Sequence, residues 1–337
     1  MAEMKERDAY YCNLKLLLLY LVVFGHWIEP YLAYAPWAAA VYRVIYTVHM
    51  PLFVFVSGIF LSSGKSAPGR TVRLLFSYLA AQGIAMTAAG IAGTSLPFYR
   101  PYWHLWYLLS LSMWSAAVYV LERWLRLPAR PLWVRLGAFL LSVGIGCGAG
   151  GMPWIGRDMS LSRTLVFFPY VLAARLCPRD FFRGRKALGA AALLGFAAVY
   201  VLFGSFINEN VVTTEFLYQA EPYGEMGLPL GILLRLLCYL MGGLFGVGLM
   251  AFVPQRSFTF SRIGADTLGI YLCHAPMVLL FRLAPLTERE MLVLGPFAAL
   301  WIICFLSRLF RWRGKLCRVY MRRIDRKGKD YDVQRDL

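Results

Sequence analysis

The chain has 337 residues, of which 59% are hydrophobic and only 16% charged, and its mean hydropathy is +0.57. That composition lies outside the range of soluble globular domains and indicates an all-α, polytopic integral membrane protein. The formal charge of +17 first suggests a nucleic-acid partner, but the placement of the basic residues argues for a membrane surface instead.

Apolar stretches long enough to cross a hydrocarbon core of ~30 Å predict about ten helices, at residues 12–28, 41–61, 74–91, 103–121, 136–150, 164–174, 187–203, 228–253, 264–283 and 291–307. The stretch 164–174 is the shortest. The expected organisation is one membrane domain over 1–310, followed by a basic cytoplasmic tail over 311–337.

The first stretch, KLLLLYLVVFGHW, carries Lys15 and His26. A cation or an imidazole in hydrocarbon is expensive enough to need a reason. Along a helix their separation is about 16 Å, and the two return to within roughly 20° of one face. One face thus offers a cation near one membrane surface and a base near the other, with Glu29 a turn beyond His26, placed to orient its ring. Such an arrangement suits two substrates that arrive from opposite sides.

His49 stands in IYTVHMPLFVFVSGIF, where Pro51 removes a backbone donor and Ser57-Gly58 permits close approach of another helix. Either the helix is simply kinked for packing, or it breaks at the depth of His49 and frees carbonyls to line a polar cavity. The fourth stretch opens YRPYWHLWYLLSLSMW, with Trp103, Trp106 and Tyr107 around His104. These rings form either an interfacial aromatic belt or a platform on which a sugar stacks. Arg235 lies within the eighth stretch. It either snorkels to headgroups or steadies a carboxylate such as Glu29 or a developing oxyanion. His274 falls near the middle of the ninth stretch. All 4 histidines thus fall in or beside apolar stretches. The ordinary reading of each is a neutral imidazole hydrogen-bonded between helices; the functional one makes His49, His104 and His274 substrate-binding.

Most Lys and Arg fall in alternate connections and in the tail RWRGKLCRVYMRRIDRKGK. The other side has only Arg43, Arg100, Arg157, Arg163, Arg282 and Arg289, and its longest loop is marked by Glu209, Glu215, Glu221 and Glu225. The excess of positive charge on the cytoplasmic side of membrane proteins puts both termini in the cytoplasm and the chain in the plasma (inner) membrane, with the tail on anionic lipid. The 7 cysteines show no C-x-x-C spacing, so neither a disulfide framework nor a metal site is expected. The first helix is expected to be its own insertion signal, and no internal repeat is visible.

Four ordered segments, RDAYYCNLKLLLLYLVVFGHWIEP, IYTVHMPLFVFVSGIF, YWHLWYLLSL and LGIYLCHAPM, together resemble the acyltransferase 3 family of ten-helix membrane proteins, in particular its fucose 4-O-acetylase-like branch. The resemblance implies transfer of an acyl group, usually acetyl from cytoplasmic acetyl-CoA, to hydroxyls of extracytoplasmic glycans and other cell-surface acceptors. It also implies that Lys15 and His26 are the family's basic residue and histidine, ten residues intervening. Relatives commonly carry Asp two positions before that basic residue, where Asn13 stands here beside Cys12. No hydrolase-like domain follows the last span, so the membrane domain is expected to act alone or with a separate partner.

The expected mechanism has Lys15 and the basic inner loops receiving the CoA phosphates. His26 serves as general base with Glu29 favouring the imidazolium, while Lys15, His49, Trp103, His104, Trp106, Arg235 and His274 bind substrate. An acyl-imidazole on His26 is an open alternative to direct transfer. Rival readings are a transporter or flippase of an envelope molecule and a haem protein with axial histidine pairs.

Overall fold

The computed structural model describes residues 8–61, 63–210, 214–265 and 267–333. Among these residues it is all-helical and contains no strand. The helices, in order, are α1 Ala9–Ile28, α2 Pro36–Phe60, α3 Ala67–Ile91, α4 Trp106–Arg123, α5 Leu132–Ala149, α6 Leu161–Leu176, α7 Lys186–Asn210, α8 Thr214–Leu217, α9 Leu228–Phe252, α10 Thr267–Phe281 and α11 Glu288–Val333. Eight of the described helices are long and apolar enough to cross a membrane. The expected spans 164–174 and 264–283 coincide with two shorter helices, α6 and α10. Lys5, Arg7 and the side chains of Glu209, Glu215 and the basic segment beyond Trp312 lie outside the described residues. α11 runs as one helix past residue 310, where the basic tail was expected to begin.

The chain divides into two compact units. Unit 1 is built from both ends of the chain, Met1–Tyr34 and Arg256–Leu337, and unit 2 from Ala35–Gln255.

In unit 1, α1 begins where the Asp8 carboxylate accepts the Tyr10 N–H at 3.0 Å, supplying one of the bonds a helix start lacks. Leu14, Leu18 and Val22, spaced by four, are all buried and give the helix an inward stripe. The 3₁₀ segment Thr259–Ala265 approaches α1 so closely that a side chain at Gly264 would run into the Cys12 carbonyl. Asn13 fixes that approach. Its amide donates to the Arg256 carbonyl at 3.0 Å and accepts the Ser261 hydroxyl at 2.5 Å. Only a carboxamide provides both donor and acceptor at this spot, which is why an Asp would serve poorly here. At the other end of α1, the Trp27 indole donates to the Met291 carbonyl at 2.8 Å, and Gly295 of α11 leaves room for that ring.

In unit 2, α2 meets α6 at Gly58, where an added Cβ would lie 2.9 Å from that of Ala174, the close approach the Ser57-Gly58 pair predicts. The Ser57 hydroxyl bonds the Tyr107 phenol at 2.5 Å. Of the two readings at Pro51, a kinked packing helix or a break, the break does not occur; α2 stays helical from Pro36 to Phe60. Proline still lacks the N–H that would reach the Thr47 carbonyl, and α9 passes this point through Gly242, whose Cβ would stand 3.0 Å from that oxygen. Near the far end of α2, Arg175 pairs with Glu122 at 2.6 Å and donates to the Leu61 carbonyl at 3.0 Å. That cation is used up by structure.

Candidate functional site

The helical continuity of α1 carries Lys15 and His26 on one rod, about 16 Å apart by the rise per residue. Lys15 is half-buried. At the end of this rod the chain turns through the short 3₁₀ segment Glu29–Tyr31, bringing the Glu29 carboxylate to 3.5 Å from His26 Nδ1. Both side chains keep partial access, at 11% for His26 and 25% for Glu29. A base that must meet an incoming hydroxyl needs that access.

Two further groups of unit 1 close around His26. The His274 ring lies nearly parallel to it, with centroids 5.4 Å apart and planes at 24°. His274 is fully buried, and its Nδ1 is 2.6 Å from the Tyr271 carbonyl. Since a carbonyl only accepts, that nitrogen carries the proton in the neutral ring. The guanidinium of Arg282 donates to the His26 carbonyl at 2.7 Å, satisfying an orphan acceptor of the last helical turn. The sequence reading included His274 but missed Arg282. Its signal was available, since Arg282 is one of the few basic residues on the side that the sequence reading placed outside.

The remaining expected site residues belong to unit 2. His49 is buried and its Nδ1 is 2.6 Å from the Ile45 carbonyl one turn back, with the Tyr46 ring edge-on at 4.6 Å. His104 is buried in the 3₁₀ turn Trp103–Leu105, between the edges of Tyr102 and Trp103. Trp103 itself has a φ of 28°, an uncommon value for a bulky residue and costly in backbone strain. The Trp106 ring stacks on Phe167 at 5.5 Å and holds the Arg163 guanidinium at 4.8 Å. As a sugar platform it is already occupied.

Arg235 does not snorkel. It is 1% exposed, donates to the Gly146 carbonyl at 2.9 Å and stands 4.9 Å over the Tyr223 ring. Burial pushes the Tyr223 phenol up to about 12, an effect that Arg235 tempers. The phenol therefore stays a donor, to the Cys147 carbonyl at 2.7 Å. Among the described residues, no group of three His, Cys, Asp or Glu is gathered to hold a metal ion.

What unit 1 assembles is a partly accessible imidazole, a carboxylate poised at its Nδ1, a second imidazole stacked on it and a cation holding its backbone. A family model described as an acyltransferase domain, the acyltransferase 3 family, matches residues 8–312. The nodulation protein NolL of Sinorhizobium fredii (strain NBRC 101917 / NGR234) is 30% identical over 146 residues, which cover 36% of this chain and 40% of that protein. The match thus spans about two fifths of the relative's length. No solved structure matches the chain.

Proposed function

The chain belongs to the acyltransferase 3 family, and from that premise we propose that it moves an acyl group, acetyl in the simplest case, from cytoplasmic acyl-CoA to a hydroxyl of an extracytoplasmic glycan or other cell-surface acceptor. The observation that carries this reading is the 3.5 Å approach of Glu29 to His26 at the end of the helix that also bears Lys15. Family membership makes the protein an acyltransferase; donor, acceptor and residue roles are the proposal.

With Nδ1–H turned to Glu29, His26 presents the Nε2 lone pair. It takes the proton of the acceptor hydroxyl as that oxygen attacks the thioester carbonyl carbon. The C–S bond then breaks, and the proton passes to the departing thiolate, giving ester and free CoA. Glu29 favours the transient imidazolium by charge. His274, with its Nδ1 held by the Tyr271 carbonyl, fixes the orientation of the His26 ring as a neutral neighbour. Lys15 receives donor phosphates at the opposite end of α1, and the excess of basic residues on that side argues for two cytoplasmic termini and an inner-membrane location. Trp103 and His104 remain proposed acceptor contacts; His49, bonded to its own helix, and Trp106 are better read as packing, and Arg235 is treated below.

The test is release of free CoA from acetyl-CoA by purified protein in detergent, with and without a polysaccharide acceptor. A transporter would release none. Loss of release in His26→Ala, with the melting temperature retained, is the expected result; full release in that variant overturns the role of His26.

A further inference from the structure

Unit 2 contains a feature that the transfer chemistry at His26 does not use. The buried Arg235 has no carboxylate partner among the described residues, and its Nε–H has no hydrogen-bond acceptor. Gln219 is 5% exposed and its side-chain oxygen is likewise unbonded. Both line a chamber of about 20 Å³, walled also by Thr47, whose carbonyl Pro51 leaves unpaired within α2. That volume admits one small polar group. A lone water there would bond the guanidinium without neutralising it, and an unpaired buried charge is strongly unfavourable.

Next to the chamber, and sharing Pro51, Tyr170 and Tyr239 with its wall, is a groove of about 230 Å³. It is lined almost wholly by apolar side chains and runs along Gly242, Gly243 and Gly246 of α9. A Cβ at Gly243 would meet nothing within 4 Å, so the space there is open. A pantetheine arm, with two amides and a hydroxyl, would find few partners in such a groove and would lose their hydration. A hydrocarbon chain loses nothing.

We propose that unit 2 binds a long-chain carboxylate from the membrane, with its carboxylate oxygen accepting the Arg235 Nε–H in the chamber and its hydrocarbon chain lying along the glycine-floored groove. A half-turn of the Gln219 amide points its N–H₂ into the chamber as a second donor, so the carboxylate meets two donors in a dry site, where charge-assisted bonds are strongest. The inference stands apart from the chemistry assigned to His26.

The experiment uses the full chain in phosphatidylcholine nanodiscs, with radiolabelled laurate and empty nanodiscs as background. Saturable binding of one laurate per chain is expected, with acetate (head only) and dodecanol (chain only) at least tenfold weaker. Arg235→Gln should weaken laurate at least tenfold and leave dodecanol unchanged, whereas Gly243→Leu should weaken both. Gln219→Glu, which supplies the missing carboxylate from within, should raise the melting temperature and remove laurate binding even if Arg235→Gln fails to fold. Equal binding of laurate and dodecanol, or undiminished laurate binding in folded Gln219→Glu, would overturn the proposal and leave Arg235 a hydrated structural cation. CoA release by the same samples reports separately on His26.

Discussion

His26 and His49 are both imidazoles in apolar helices, and they are held in opposite ways. His49 turns its Nδ1 to the carbonyl of Ile45 on its own helix, a partner without the charge that would draw the ring toward an imidazolium. His26 faces the carboxylate of Glu29, which gains energy when the ring becomes an imidazolium. Unit 1 even contains its own control, because His274 is held by a carbonyl as His49 is. Burial in a membrane helix therefore says little about catalysis. The identity of the second-nitrogen partner says more.

The comparison is most open to attack at His26 itself. His26→Ala should cut CoA release with acceptor by about 10²- to 10⁴-fold, read from the initial rate of thiol appearance. Next comes Glu29→Gln, which keeps the shape but removes the charge. A loss of about tenfold in kcat with little change in KM is expected from the weakened imidazolium, and an unchanged kcat would put the carboxylate outside the mechanism. Lys15→Ala should raise the acetyl-CoA Kd by about tenfold in a titration, with Lys15→Arg recovering part of it. Equal CoA affinity in Lys15→Ala would leave the lysine a packing role. The smallest effect is expected for His49→Gln, whose amide N–H can replace the bond to Ile45; its rate should stay within about threefold of the parent. A His49→Gln loss as large as that of His26→Ala would erase the contrast between the two rings.

A different contrast concerns the two arginines of unit 2. Arg175 has the Glu122 carboxylate and helix-end carbonyls, while Arg235 has a single carbonyl and aromatic faces. Glu122→Gln should lower unfolding stability, by less than the ~3–5 kcal/mol of a fully buried pair, since Arg175 remains 29% exposed. Denaturation in mild detergent followed by Trp fluorescence measures it.

The first helix was the most legible part of the sequence, because Lys15, His26 and Glu29 lie within one rod and the turn after it, and helical spacing alone sets their relations. Gly58 was legible for the same local reason. His274 was legible as a candidate but not as the ring stacked on His26, since nothing in a spacing argument joins residues from α1 and α10. The occupied face of Trp106 was hidden likewise, its neighbours Arg163 and Phe167 coming from α6. Pro51 left a broken and a kinked helix equally open, because a proline removes one backbone bond in either case; α2 is continuous, with Gly242 of α9 close against it. The second use of Asn13 was beyond reach, as its partners stand 243 and 248 residues away.

That last pairing has a consequence for how the protein is made. The Arg256 carbonyl and Ser261 hydroxyl that Asn13 needs follow it in the chain only after all of Ala35–Gln255. At ~5–20 residues per second, α1 must wait in the bilayer on the order of ten seconds or more for its neighbours. Until they arrive, His26 has Glu29 but neither the ring of His274 nor the hand of Arg282 on its backbone. A chain cut short before Thr267 would thus insert most of its helices and still lack the neighbours of the proposed centre at His26. Synthesis of α10 becomes a precondition for the proposed activity, enforced by geometry.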